Sequence, residues 1–124
     1  MTDATILIVD DEEDLRENLR DLLEFSGYTV MSFASGEEIL ERFDDYHADV
    51  VLLDIQLPGK DGLEVLREIK RKRPDLPVAM VSASSVRGVL AKAEEYGANR
   101  TIIKPYSPKE MLQMVETMLA ERNG

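Results

Sequence analysis

The sequence predicts an α/β fold: a single doubly wound, five-stranded parallel sheet with helices on both faces. Short, β-branched-rich apolar runs recur at residues 6–9, 29–33, 50–53, 78–81 and 101–103, as strands covered on both faces should. Each run is followed by a longer segment whose apolar residues fall at helical spacing. Five strand-helix units in succession require crossover connections, which are almost always right-handed and so make the sheet parallel.

Taken in order, the first helix carries Leu15, Leu19, Leu22 and Leu23 on one face and closes at Gly27, a left-handed cap. The second opens at Ser35 and buries Ile39, Leu40 and Phe43. Leu63, Leu66 and Ile69 mark the third, which stops before Pro74; Val86, Val89, Leu90 and Ala93 mark the fourth, ended by Gly97. The fifth has the clearest start: Ser107 at the N-cap, Pro108 at the first helical position and Glu110 at the third, then Met111, Leu112, Val115 and Leu119 on one face. Met114 and Met118 belong to the core and flank of that helix, and residues 121–124 are read as a frayed end or truncation point.

At 124 residues the chain is read as one domain, residues 1–124, large enough for a core without staples. With 44% hydrophobic and 32% charged residues the composition is that of a globular chain. No apolar run approaches the roughly 20 residues needed to span a bilayer, and the N-terminal residues lack the basic and apolar regions of an export signal. A cytoplasmic protein with no membrane association is expected. The absence of cysteine excludes disulfides, thiolate nucleophiles and zinc-cysteine sites. A net charge of -10 argues against direct nucleic-acid binding by these residues. The one basic cluster, residues 70–73, is read as a helix C-terminus complementing its dipole.

Polar residues stand at the carboxyl ends of the strands, where α/β sheets collect ligands. The first strand runs into Asp10 and Asp11, the third into Asp54, the fourth into Ser82 and the fifth into Lys104 and Pro105. Asp54 is conspicuous because four apolar residues run straight into it and the chain then turns at Leu57, Pro58 and Gly59. Two carboxylates about 4 Å apart repel by on the order of 4 kcal/mol at an effective dielectric near 20. A hard divalent cation such as Mg2+ offsets that repulsion with oxygen ligands. Adding the Lys104 ammonium and the Ser82 hydroxyl describes a phosphate site around a central carboxylate, and a carboxylate so placed can act as a nucleophile toward phosphorus.

The segments ILIVDDEED, VVLLDIQLPGKDGLEVL, VSAS and YGANRTIIKPYSPKEML, in this order over almost the whole chain, resemble the response-regulator receiver domain of two-component signalling. The resemblance implies a flavodoxin-like sheet of order 2-1-3-4-5 with five helices. It matches Asp54 to the phosphoacceptor, Asp10 and Asp11 to the acidic pair that holds Mg2+, and the backbone carbonyl of Gln56 to a further metal ligand. Ser82 matches the switch hydroxyl, Lys104 the phosphate-pairing lysine, and the Lys104-Pro105 bond is expected to be cis. It further implies a sensor histidine kinase or phosphotransfer protein as phosphodonor, in a phosphorelay, and a phosphorylation-dependent homodimer or downstream effector as output, through a face formed by helix 4, strand 5 and helix 5. Such a chain catalyses only its own phosphorylation and dephosphorylation. One position departs: Thr101 stands where the family usually has Tyr or Phe, so an aromatic rotamer switch is not expected.

Competing readings fit less well. A phosphatase of the haloacid-dehalogenase type needs an aspartate two residues after its nucleophile, whereas Asp10 is followed by Asp11 and Glu12. A flavin-binding relative needs a hydroxyl- and glycine-rich loop after the first strand, where residues 10–14 would repel phosphate. An interaction module without phosphorylation would have no use for all five key side chains. His47 is read as a surface residue, and Tyr106 either as an exposed aromatic at an interaction face or as a packing residue.

Overall fold

The structure, a computed structural model, describes residues 4–83 and 87–123. Strands β1 (Thr5–Val9), β2 (Thr29–Phe33), β3 (Val50–Asp54), β4 (Val78–Ser82) and β5 (Arg100–Ile103) alternate with helices α1 (Glu13–Phe25), α2 (Gly36–Arg42), α3 (Gly62–Lys72), α4 (Arg87–Glu95) and α5 (Pro108–Asn123). All pairings are parallel and the strand order is β2-β1-β3-β4-β5. The first and third strands are therefore neighbours, and the chain reverses its winding beside them, which is where such a sheet opens a crevice.

Side chains alternate across each strand, so one sheet feeds two cores. Leu7, Val9, Val51, Leu53, Val78 and Met80 pack beneath α2, α3 and α4. Ile6, Ile8, Val50, Leu52, Ala79 and Val81 pack against α1 and α5. Every residue of β3 and β4 is buried, consistent with their unbroken apolar runs.

The expected caps form. Ser35 accepts from the Glu38 amide, and Ser107 and Glu110 form a reciprocal capping box, each side chain accepting from the other's amide at 3.0 Å. Gly27 (φ 98°) and Gly97 (φ 104°) end α1 and α4. At both ends the glycine amide bonds three residues back and the next amide five residues back, the paired closure that left-handed glycines permit. The α3 cap is Asp61, which accepts from Glu64. Val86, assigned to the fourth helix from sequence, lies outside the described residues.

Two expectations are corrected. The strand at residues 101–103 was expected to be covered on both faces, but Thr101 and Ile103 are exposed and only Ile102 faces the core beside α5. It is an edge strand that α4 leaves uncovered on its outer side. Residues 121–123 are not frayed but continue α5, and Glu121 pairs with Arg100 of β5.

Among the described residues no helix is long and apolar enough to cross a membrane. The basic cluster at the end of α3 is largely consumed by local structure. Lys70 donates to the Leu76 carbonyl and the Asn99 side chain, Arg73 donates to the Ala48 carbonyl, and Lys72 pairs with Asp44.

Candidate functional site

Parallel strands end on the same edge, so Asp10, Asp54, Ser82 and Lys104 reach one place from β1, β3, β4 and β5. Carboxylate oxygens of Asp10, Asp11 and Asp54 lie within 4.8 Å of one another. Asp10 and Asp54 are buried, whereas Asp11 is exposed at the mouth. The Lys104 Nζ bridges the two buried carboxylates, donating to Asp54 Oδ2 at 3.0 Å and Asp10 Oδ2 at 3.2 Å. The Lys104-Pro105 bond is cis, as expected.

The backbone fixes these groups locally. Asp54 ends β3, and its Oδ1 accepts from the Gln56 amide at 2.8 Å, an Asx turn that starts the loop. Asp10 Oδ1 accepts from the Glu12 amide in the same way. Gly62 begins α3 with its Cα against that loop; a Cβ there would lie 2.3 Å from the Asp54 carbonyl oxygen and 2.7 Å from Ile55 Cα. Only glycine allows the helix to start this close to the strand end. The Lys104 amide donates to the Ser82 carbonyl at 2.7 Å, tying β5 to β4 at the site.

Burial pushes the Asp54 carboxyl above its ordinary pKa, and this outweighs the opposing pull of Lys104 and the Gln56 amide. Burial would lower the Lys104 ammonium, yet its bonds and charge attraction to Asp54 and Asp10 carry it above the ordinary lysine value. The site thus holds a desolvated carboxylate beside a firmly charged ammonium. All three acidic side chains are hard oxygen donors of the kind Mg2+ prefers, so the donor set fits a divalent cation.

Five of the residues singled out from sequence are brought together: Asp10, Asp11, Asp54, Lys104 and, by the backbone of β4, Ser82. Gln56 is exposed and contacts the site through its amide. Thr101 stands apart, exposed on β5 opposite Met80. His47 is exposed in the loop before β3. Tyr106 is half-buried, packs against the α1 and α5 core, and lines an apolar groove of about 460 Å3 with Leu15, Leu19, Leu22 and Pro105. Sequence reasoning did not single out that groove or Arg16, whose Nη1 donates to the Asp10 carbonyl at 2.8 Å. Its one signal is a lone basic side chain among the acids of residues 10–17.

The sequence matches the response regulator receiver domain family over residues 6–116. The chain belongs to that family. Receiver domains of this family work with histidine kinases and effector domains in two-component signalling. The domain is 39% identical over 119 residues to the probable transcriptional regulator ycf27 of Porphyridium aerugineum, an alignment covering 96% of this chain and 49% of that protein. It is 40% identical over 114 residues to the transcriptional regulatory protein BaeR of Escherichia coli, covering 92% and 47%. The receiver domain therefore spans about half the length of these relatives. The crystal structure of a CheY-like response regulator receiver domain protein from Methanospirillum hungatei superposes with a TM-score of 0.95 at 30% identity, covering 98% of both chains. The BeF3-activated DrrB receiver domain superposes with a TM-score of 0.88 at 31% identity, covering 96% of this chain and 99% of that one.

Proposed function

We propose that this receiver domain is a phosphorylation-activated switch whose phosphoacceptor is Asp54. The observation that carries the reading is the Lys104 ammonium bridging Asp54 and Asp10 at a three-carboxylate cluster on the ligand edge of the sheet. A sensor histidine kinase or a phosphotransfer protein supplies the phosphoryl group from a phosphohistidine. An Asp54 carboxylate oxygen forms the new P–O bond while the P–N bond to the imidazole breaks, and the departing nitrogen takes up a proton. Lys104 pairs with the phosphoryl oxygens once the carboxylate that it now balances becomes an acyl phosphate, and the Ser82 hydroxyl donates to them.

Asp10, Asp11, Asp54 and the Gln56 carbonyl would hold Mg2+. When bound, the cation supplies charge neutralisation between the acidic cluster and the incoming phosphoryl group. Hydrolysis of the acyl phosphate resets the switch, so the chain acts catalytically only on itself. The output is a changed surface around α4, β5 and α5 that a downstream effector or a second copy recognises. The acidic balance of the chain and the internal use of the α3 basic cluster support a protein partner rather than direct contact with nucleic acid. The setting is the cytoplasm.

Incubation with acetyl phosphate or phosphoramidate and Mg2+, read by intact mass, tests the reading. Gain of one phosphoryl group that requires Mg2+ supports it. An unmodified chain under all donors, or equal modification of Asp54→Asn, contradicts it.

A further inference from the structure

Asp10 is held at every polar group it has. Its amide donates to the Phe33 carbonyl at 3.1 Å, Oδ1 accepts from the Glu12 amide at 2.9 Å, Oδ2 from Lys104 at 3.2 Å, and its carbonyl from Arg16 Nη1 at 2.8 Å. Asp11 contrasts with it. It is exposed, and its carboxylate makes no hydrogen bond to a described residue. With no side-chain bond to hold it, the Asp11 carboxylate is placed by its backbone, and the peptide that joins it to Asp10 fixes where that side chain starts. Among the described residues, Arg16 is the side chain that grips that peptide.

Arg16 has many alternatives. Asp11, Glu12, Glu13, Asp14 and Glu17 surround it in sequence, yet it is half-buried, makes no ion pair with a described residue, and spends its guanidinium on a backbone carbonyl. A charge-assisted bond to a partly buried carbonyl is worth more than a solvated surface pair. We propose that Arg16 is a positioning residue for the divalent cation: by fixing the Asp10-Asp11 peptide it holds the Asp11 carboxylate within reach of Asp10 and Asp54. The inference rests on the Mg2+ reading of the acidic cluster.

Charge and position pull in opposite directions here, which makes the assignment testable. Arg16 is a cation close to a cation site, so if only its charge mattered, removing it would tighten Mg2+ binding. If it positions Asp11, removing it loosens binding, since groups that orient a metal ligand from behind typically change affinity 10–100-fold. The experiment is calorimetric titration of Mg2+ into wild type, Arg16→Ala and Arg16→Lys, with the Mg2+ dependence of acetyl phosphate labelling and thermal melts in EDTA alongside. The expected result is an apparent Kd for Mg2+ raised about tenfold in Arg16→Ala, with Arg16→Lys between that and wild type. At saturating Mg2+ the labelling rate should recover, and the EDTA melt should stay cooperative at a modestly lower temperature, because the Asp10 carbonyl loses its charged donor. Equal or tighter Mg2+ binding by Arg16→Ala overturns the assignment while leaving the Mg2+ site standing. Absence of Mg2+ binding by wild type overturns both. Should Arg16→Ala lose its cooperative melt, Arg16→Lys decides alone: weaker binding than wild type supports the assignment, and equal or tighter binding overturns it.

Discussion

Asp54 is a carboxylate placed where ionisation is costly, at the buried end of an apolar strand. Its pKa is raised chiefly by burial, so its contribution to stability is present below the unfolded pKa and is lost as pH rises through the folded one. The metal-free protein at neutral pH therefore carries a destabilising charge. Asp54→Asn should stabilise it by about 1 kcal/mol at pH 7 in EDTA, and urea unfolding should show that gap closing as pH falls into the carboxylate range. A gap that does not change with pH would mean that the charge is not its source. Lys104 follows the same pH rule in a much higher range: its raised pKa contributes stability that is complete at neutral pH and lost only as pH rises through its folded value. These residues were legible in sequence because each ends an apolar run whose strand order brings it to a common edge. What was not legible is the connection between them. Sequence does not say that Lys104 bridges Asp10 as well as Asp54, or that Arg16 turns from its acidic neighbours to a backbone carbonyl.

The element that positions Asp54 most tightly is α3, whose first residue has no room for a side chain. Gly62→Ala would drive a methyl group into the backbone of Asp54 and Ile55, and overpacking against backbone costs about 1–3 kcal/mol. A lowered melting temperature and slower labelling by acetyl phosphate are expected together. Gly88→Ala is the matched control: its Cβ meets no described atom within 4 Å, and it should stabilise by about 0.4–1 kcal/mol without slowing labelling. The reverse ranking of the two variants would contradict this account of the α3 start. The need for glycine at residue 62 is not legible in sequence, because the collision is with backbone seven and eight residues earlier. Helix caps at Ser35, Gly27, Gly97 and Ser107 were legible since capping is local chemistry. The exposure of β5 was not, because whether an edge strand is covered depends on where α4 lies rather than on the strand's own residues.

At the scale of the whole molecule, the proposed switch requires a charge event at the sheet edge to alter a surface built from α4, β5 and α5. Thr101 is exposed and short, so it cannot exchange an inner for an outer position as an aromatic ring could. Ser82 is buried at the end of β4 and bonded through its carbonyl to the Lys104 amide. Coupling should therefore run through Ser82 and the residues that follow it. Residues 84–86 of that loop lie outside the described part of the chain. With a beryllofluoride mimic, Ser82→Ala should lose most of the change in self-association or partner affinity, whereas Thr101→Ala should retain it to within about 1 kcal/mol. Uncoupling by Thr101→Ala alone would make the threonine the switch. All of this depends on one bond, and the most direct test is to find where it forms. After labelling with acetyl phosphate and Mg2+, borohydride reduction converts an aspartyl phosphate to homoserine, and peptide mapping then locates the converted residue. Conversion at Asp54, absent in Asp54→Asn, is the predicted result; conversion at Asp10, Asp11 or elsewhere, with Asp54 intact, would contradict the account.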